Sequence, residues 1–175
     1  EGLTDTQSEL IDYLISCKQH LEQLIIPTLD YSSLEAGIYN CTEESFDVNI
    51  ILKSIIAMHA HQAASKGLRI CMSPTEVRNN WIGAVTPLRQ ILINLVSNAI
   101  KYTTSGTVSL QLSYQQLEDN ITATFSIKDT GPGIPMILED VIFRPLNRLT
   151  ENQNNQPGSG MGLSISRRIA QTLHG

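Results

Sequence analysis

Apolar residues recur at helical spacing in four parts of the chain. The first part alternates steps of four and three residues, which is typical of a coiled-coil or four-helix-bundle seam. Its members are Leu10, Leu14, Cys17, Leu21, Leu24, Thr28 and Tyr31. A second helix is predicted from about Asn49 to Ser65. A third begins at Thr86-Pro87, with a hydroxyl N-cap and proline at the first helical position, and a fourth follows Gly162.

Alternation of apolar and polar residues predicts strands between these helices. Glu44 to Val48, Leu68 to Met72 and Trp81 to Gly83 are short candidates. Thr107 to Gln115 and Ile121 to Lys128 alternate more clearly. A polar turn joins these last two segments, so the pattern predicts a β-hairpin.

A polar stripe runs along the third predicted helix. Asn94, Asn98 and Lys101 fall at i, i+4 and i+7, so their side chains share one face. An amide oxygen can bind Mg²⁺, and an ammonium group attracts phosphate. The stripe therefore indicates a site for Mg²⁺ and phosphate, although a solvated polar face would show the same spacing.

Two glycine-rich stretches follow the hairpin pattern. Asp129-Thr130-Gly131-Pro132-Gly133 ends a strand, where a carboxylate can bind an exocyclic amine and glycines let a ring approach the backbone. Gly158-Ser159-Gly160-Met161-Gly162-Leu163 precedes a helix whose N–H groups and dipole suit phosphate. Either stretch alone could be an ordinary turn. The second follows no strand and lacks Gly-Lys-Ser/Thr, which argues against a Rossmann site and a P-loop.

Together these stretches resemble the catalytic, ATP-binding domain of hybrid-type sensor histidine kinases, within the gyrase, Hsp90, histidine kinase and MutL superfamily. Asn94 to Tyr102 is similar to the N box, Asp129 to Gly133 to the G1 box, and Gly158 to Leu163 to the G2 box. Phe143 to Arg148 resembles the F box. Leu29 to Gly37 resembles the end of the second helix of the dimerisation and phosphotransfer domain.

The resemblance implies an α+β fold. We expect a two-layer α/β sandwich of the Bergerat type, with a mixed sheet covered by helices on one face and preceded by one long bundle helix. Residues 1–40 would be a partial dimerisation and phosphotransfer domain. Residues 41–175 would be the catalytic ATP-binding domain, with its last strands expected beyond Gly175.

The resemblance also implies the roles of individual residues. Asn98 would coordinate Mg²⁺, and Lys101 would contact phosphate. Tyr102 would lie on the adenine, whose amino group Asp129 would bind. The other cofactor-binding positions shape the adenine pocket or let the lid approach the phosphates, and they are Gly131, Gly133, Gly158, Gly160, Gly162 and Leu163.

Catalytic roles are predicted for Asn94 and Arg148. Arg148 resembles a basic F-box residue that reaches the γ-phosphate. Asn94 stands where hydrolytic members of the superfamily place a catalytic glutamate, and an amide cannot take a proton from water. The resemblance therefore implies a protein-histidine kinase that donates the γ-phosphoryl group of Mg-ATP. A stand-alone serine kinase or ATPase of the same superfamily fits less well.

Four features depart from the family pattern. The acceptor motif His-Glu-x-x-Thr-Pro is absent, so the acceptor histidine is expected outside this chain. Pro27 would bend the bundle helix. Arg144 and Leu146 replace acidic and aromatic F-box residues, and the last strands are missing. The histidines have other contexts, with surface or helix-packing roles expected for His20, His59, His61 and His174.

These departures support an alternative, which is a degenerate regulatory module that acts by protein–protein pairing. The intact N, G1 and G2 boxes count against it. The polar segment Asn147 to Gly160 is predicted to be a mobile lid that bound nucleotide orders. The expected partners are ATP or ADP, a second copy through the helical bundle of the parent protein, and a response regulator or receiver domain.

Composition and charge argue against several other classes of protein. The chain has 175 residues, is 41% hydrophobic and carries a net charge of -5, which argues against general nucleic-acid binding. Cys17, Cys41 and Cys71 show neither paired nor metal spacing, so we expect reduced, buried thiols. No apolar run approaches the roughly 20 residues that cross a bilayer. A cytoplasmic portion of an inner-membrane sensor is expected.

Overall fold

The computed structural model describes residues 4, 6–7, 10–11, 13–14, 18, 25, 32–36, 39, 41–73, 80–117, 120–146 and 160–175. Most of the predicted bundle seam, the bend at Pro27 and the predicted lid before Gly160 lie outside these residues. Leu10 and Leu14 of the seam are helical, and they are 59% and 60% exposed.

The first helix of the catalytic part begins one residue earlier than its pattern predicts. Strand β1 spans Glu44–Phe46, and helix α1 spans Val48–Ser65. Asp47 caps the helix because its carboxylate accepts a hydrogen bond of 2.8 Å from the Asn49 N–H. The assignment of Val48 to the strand was therefore wrong, since Val48 is the first helical residue.

Helix α2 spans Val85–Tyr102, so its predicted start at Thr86-Pro87 was also wrong. Ala84 is the N-cap, and no side chain makes a capping hydrogen bond. Pro87 is the third helical residue rather than the first. The helix tolerates it there because the first four N–H groups of a helix lack intrahelical partners in any case.

The sheet consists of two separate pieces within the described residues. Strands β2 (Leu68–Met72) and β4 (Gly106–Leu117) pair in parallel, and β4 pairs antiparallel with β5 (Asn120–Asp129). Strand β3 (Trp81–Gly83) pairs antiparallel with β1. The predicted hairpin is confirmed, and in its register Val108 lies opposite Asp129. Asp129 therefore sits beside the beginning of β4.

One core joins α1, α2 and one face of the mixed sheet. Alternate residues of β4 are buried, as period-two patterning requires. The opposite face of β4 carries exposed polar side chains. This two-layer arrangement confirms the predicted α+β fold. The core residues with the least exposure are Val48, Ile51, Leu52, Ile55, Ala63, Leu92, Val96, Ile100, Val108 and Leu110.

A smaller apolar cluster places the last helix. Helix α3 spans Gly162–Thr172, after a 3-10 turn at Met136–Leu138. Leu34, from the end of the early helical segment, is 5% exposed and packs with residues of α3. Leu34 therefore lies against α3. The members of this cluster are Leu34, Met161, Ile165 and Ile169, with Tyr39, Ile91 and Leu173 at its edge.

The cysteines and histidines give a mixed result. Cys41 and Cys71 are free thiols, as expected, but Cys41 is only partly buried and Cys71 is exposed, so neither is buried as predicted. Cys71 lies on the face of strand β2 opposite to the one on which Leu68 packs into the core. His59 is 7% exposed, and its Nδ1 lies 2.9 Å from the Ile55 carbonyl oxygen, which fits helix packing. Among the described residues, no helix is long and apolar enough to span a membrane.

Candidate functional site

The end of helix α2 carries the residues predicted to hold magnesium and phosphate. Asn98 and Lys101 are partly exposed, and Tyr102 is 57% exposed. The Lys101 ammonium lies 5.1 Å from the centroid of the Tyr102 ring, which is a cation–π distance. An amide, a cation and an aromatic face are thus presented within the last turn and a half of one helix.

Lys66 fixes this end of α2, and the sequence pattern gave it no role. Its ammonium donates hydrogen bonds of 2.9 Å to the Ile100 carbonyl and 2.8 Å to the Lys101 carbonyl. The last carbonyls of a helix lack intrahelical partners, and a cation there also offsets the helix dipole. Lys66 is the C-cap of α1, so the ends of α1 and α2 are tied together.

Asp129 meets the end of α2 through Thr103. The Asp129 Oδ1 accepts a hydrogen bond of 2.8 Å from the Gly131 N–H and a longer one of 3.4 Å from the Thr103 hydroxyl. Thr103 is the C-cap of α2 and is 0% exposed. In the described part of the chain, no hydrogen bond reaches Oδ2. One oxygen therefore fixes the carboxylate, and the other can accept from a ligand amine.

The two glycines of the G1 box are required for different reasons. A Cβ atom at Gly131 would lie 2.8 Å from the Asp129 Oδ1 and 3.3 Å from the Tyr102 carbonyl oxygen. A side chain there would push apart the groups that hold the carboxylate. Gly133 has a φ of 73°, in the left-handed region that favours glycine. These two observations explain why glycine is needed at both positions, and their role in an adenine pocket stays a prediction.

Thr130 joins the G1 box to the beginning of β4, a role that the sequence did not reveal. Its hydroxyl accepts a hydrogen bond of 2.9 Å from the Thr107 N–H and donates one of 3.1 Å to the Ser105 carbonyl. Gly106 leaves room for this hydroxyl, since a Cβ atom there would overlap Thr130 Oγ1. The loop after Asp129 is therefore held at both of its first two residues.

The beginning of α3 forms the third part of the site. Gly160 has a φ of 71°, and Met161, the N-cap, is 7% exposed and makes no side-chain capping bond. The N–H groups of the first helical turn, which includes Gly162 and Leu163, lack intrahelical partners. Such groups are suited to phosphate, and phosphate binding here stays a prediction. Gly158 and Arg148 of the predicted site lie outside the described residues.

Asn94 connects α2 with α3. Its Nδ2 donates a hydrogen bond of 2.7 Å to the Ser166 hydroxyl oxygen. Asn94 and Asn98 are both partly exposed, one helical turn apart. The sequence gave no role to Ser166, although its spacing of four residues from Gly162 places both on one face of α3.

Phe143, the first residue of the F box, lies against another face of α3. The Arg167 guanidinium is 5.0 Å from the centroid of the Phe143 ring. Arg144 and Leu146 are exposed, and Leu146 has a φ of 60°. A pocket of about 110 Å³ lies here, and it includes none of the N-box or G1-box residues. Its lining residues are Glu35, Phe143, Pro145, Ser164, Arg167, Arg168 and Gln171.

The residues present fit a magnesium ion that arrives with a nucleotide. Within the described ranges, no group of three or more His, Cys, Asp or Glu side chains could hold a metal. Mg²⁺ usually keeps several waters and takes one or two protein ligands together with phosphate oxygens. The Asn98 amide oxygen can supply one such protein ligand, and Lys101, one turn further along, can contact the phosphate.

Comparison with known proteins gives a match over the second half of the chain. The family model described as histidine kinase-, DNA gyrase B-, and HSP90-like ATPase matches residues 83–175. These residues include the N, G1, F and G2 boxes. The match therefore covers all the site residues described above except Glu35 and Lys66.

Two curated relatives and one solved structure extend the similarity. The hybrid signal transduction protein dokA of Dictyostelium discoideum is 32% identical over 99% of this chain and 11% of its own length. The signal transduction histidine-protein kinase BarA of Escherichia coli K12 is 29% identical over 99% of this chain and 19% of its own. The chain thus spans less than a fifth of these relatives.

The crystal structure of full-length ShkA in complex with AMPPNP superposes with a TM-score of 0.82. It is 25% identical and covers 99% of this chain, which covers 35% of ShkA. AMPPNP is an ATP analogue. The similarity therefore includes the early helical segment as well as the nucleotide motifs.

Proposed function

The chain belongs to the histidine kinase-, DNA gyrase B- and HSP90-like ATPase family, and on this premise we propose that it binds Mg-ATP and donates the γ-phosphoryl group to a histidine. The acceptor histidine would lie outside this chain, and a response-regulator aspartate would receive the phosphoryl group next. The single observation that carries the proposal is the Asp129 carboxylate, held by Gly131 and Thr103 beside the Asn98–Lys101 end of α2.

Each part of the site has a stated task in this proposal. Asp129 accepts the adenine amine, and the exposed Tyr102 ring lies on the base. Asn98 would supply one oxygen to Mg²⁺, and the ion would neutralise charge on the phosphates. Lys101 and the N–H groups at the beginning of α3 bind phosphate oxygens. Catalysis of phosphoryl transfer is mainly positioning and charge stabilisation, which these groups can provide.

Transfer to a protein is favoured over hydrolysis by the chemistry at Asn94. A water molecule needs a base to take its proton, and an amide cannot do so. The Asn94 amide group is also engaged with Ser166. We therefore propose that the chain hydrolyses ATP only slowly. Arg148 remains a prediction for the γ-phosphate.

The partners follow from the same premise. We propose that the parent protein dimerises through its helical bundle and passes its phosphoryl group to a response regulator or receiver domain. A cytoplasmic location for this portion of a membrane sensor stays a prediction. The regulatory-module alternative is not favoured, because the three nucleotide motifs are intact and the match extends over all of them.

Radiolabelled ATP tests the proposed transfer. The chain with Mg²⁺ and γ-labelled ATP is expected to acquire no acid-labile phosphate and to release phosphate slowly, because it carries no acceptor motif. Adding a helix with the His-Glu-x-x-Thr-Pro motif ahead of residue 1 should produce acid-labile label, and a His→Gln change in that motif should remove it.

Two results would contradict the proposal. Acid-labile label on His20 of the unaltered chain would place the acceptor inside it. Rapid phosphate release, at a rate that Asn94→Ala leaves unchanged, would identify an ATPase whose base lies elsewhere.

A further inference from the structure

The Asn94 side chain lies at the contact between α2 and α3. Its Nδ2 donates to Ser166 Oγ at 2.7 Å. Ser166 is 6% exposed, so its hydroxyl has little access to water that could replace this donor. The bond therefore joins the N-box helix to the G2-box helix through one amide group.

The same amide also packs on the first residue of α3. A Cβ atom built on Gly162 would overlap Asn94 Oδ1, and it would lie 2.9 Å from Asn94 Cγ. Glycine at 162 thus lets the amide approach the backbone of α3. Because residues 162 and 166 are one turn apart on one helix face, Asn94 contacts α3 at two points.

The apolar cluster holds α3 against α2 as a whole, and these two contacts fix its first turn relative to α2. That turn presents N–H groups with no intrahelical partners, and its N-cap has no side-chain capping bond. Helix α2 carries Asn98 and Lys101 further along the same stripe as Asn94. The phosphate-binding groups on the two helices are therefore spaced by the Asn94–Ser166 contact.

We propose that Asn94 is a positioning residue, which acts through Ser166 and Gly162 to set the beginning of α3 against the phosphates. The inference rests on the proposed function, since it concerns the same nucleotide site. Asn94 would act on bound phosphate without being a catalytic base. Its effect should appear in the binding of triphosphate and be absent from the binding of the nucleoside.

Calorimetry with two ligands tests this assignment. Mg-ATP uses both helices, whereas adenosine uses the Asp129 side of the site. We expect Asn94→Ala and Ser166→Ala each to weaken Mg-ATP binding about three- to tenfold, the loss that one hydrogen bond predicts. Adenosine affinity should change less than about twofold, on the same scale. The double variant should bind Mg-ATP no less tightly than the more affected of the two single variants, because both changes remove the same contact.

Matched controls come from the same two helices. Gln90→Ala removes an amide one turn before Asn94, where it accepts a 2.6 Å hydrogen bond from Tyr39. Thr172→Ala removes a hydroxyl of α3 that donates to the Arg168 carbonyl at 3.0 Å. Neither group lies in the contact between Asn94 and Ser166, so Mg-ATP affinity should be retained in both controls.

The outcomes distinguish a failure of the proposed function from a failure of the positioning role. If unaltered protein binds adenosine but not Mg-ATP, or binds neither, the proposed function itself fails. If it binds Mg-ATP, three results would overturn the positioning role: unchanged affinity in Ser166→Ala, additive losses in the double variant, or equal losses for adenosine and Mg-ATP. Ser166→Ala removes one oxygen and leaves a good helix former, so it decides the matter alone if Asn94→Ala does not fold.

Discussion

Asp129→Asn is expected to weaken ATP binding about ten- to a hundredfold, the loss predicted for one charge-assisted hydrogen bond. The geometry shows why a nearly isosteric change should have this effect. Oδ1 is used by the Gly131 N–H and the Thr103 hydroxyl. In the variant the amide oxygen must stay at that position, so the NH₂ group replaces Oδ2. It would then face the adenine amine, donor against donor.

Inosine triphosphate provides a ligand control for this variant. Its 6-oxo group accepts a hydrogen bond where the adenine amine donates one, so Asp129→Asn should bind it in preference to ATP. Asp140→Asn, at an exposed carboxylate outside the site, is the matched control and should bind ATP like the unaltered protein. Calorimetry that gave Asp129→Asn the same affinity for ATP as the parent would show that this carboxylate does not recognise adenine.

Gly162→Ala is expected to lower both stability and ATP binding. The new methyl group would overlap Asn94 Oδ1, and overpacking of this kind typically costs about 1–3 kcal/mol. Either the amide or the first turn of α3 must move. A shift of the amide breaks its hydrogen bond to Ser166, and a shift of the turn displaces the phosphate-binding N–H groups. Urea unfolding and ATP titration measure the two losses on the same sample.

A second substitution distinguishes the loss of stability from the loss of ATP binding. Asn94→Ala in the Gly162→Ala background removes the overlapping amide, so it should recover most of the stability. It should not recover ATP binding, because the contact with Ser166 is absent. Gly83→Ala is the control, since a Cβ atom there lies 3.6 Å from Phe46 Cε1, an ordinary contact. Full stability and full ATP affinity in Gly162→Ala would contradict the packing described for α3.

The sequence predicted the elements whose signals are local. The hairpin from β4 to β5 follows from strict alternation, and β2 was placed with its observed ends. A predicted helix start was wrong where neighbouring residues favour different first positions. Thr86-Pro87 has the composition of a helix start, yet the helix begins at Val85, whose side chain is 8% exposed and packs in the core. Burial of Val85 therefore prevails over the capping preference of Thr86.

The nucleotide motifs could be located from the sequence, but the contacts that hold them could not. Thr103, Lys66 and Ser166 are ordinary residues in ordinary positions until the fold brings distant segments together. Lys66 meets the end of α2 across a separation of 34 residues, and Asn94 meets Ser166 across 72. No periodicity encodes such pairs. They depend on how α1 and α3 pack against α2, which only the three-dimensional structure supplies.

We propose that the ends of α2 and β5 and the beginning of α3 form one Mg-ATP site. Isothermal titration of the unaltered chain with ATP, in Mg²⁺ and then in excess chelator, tests it most directly. The account predicts saturable binding of one ATP per chain that weakens when Mg²⁺ is removed. No detectable binding with Mg²⁺ present, or equal affinity with and without Mg²⁺, would contradict it.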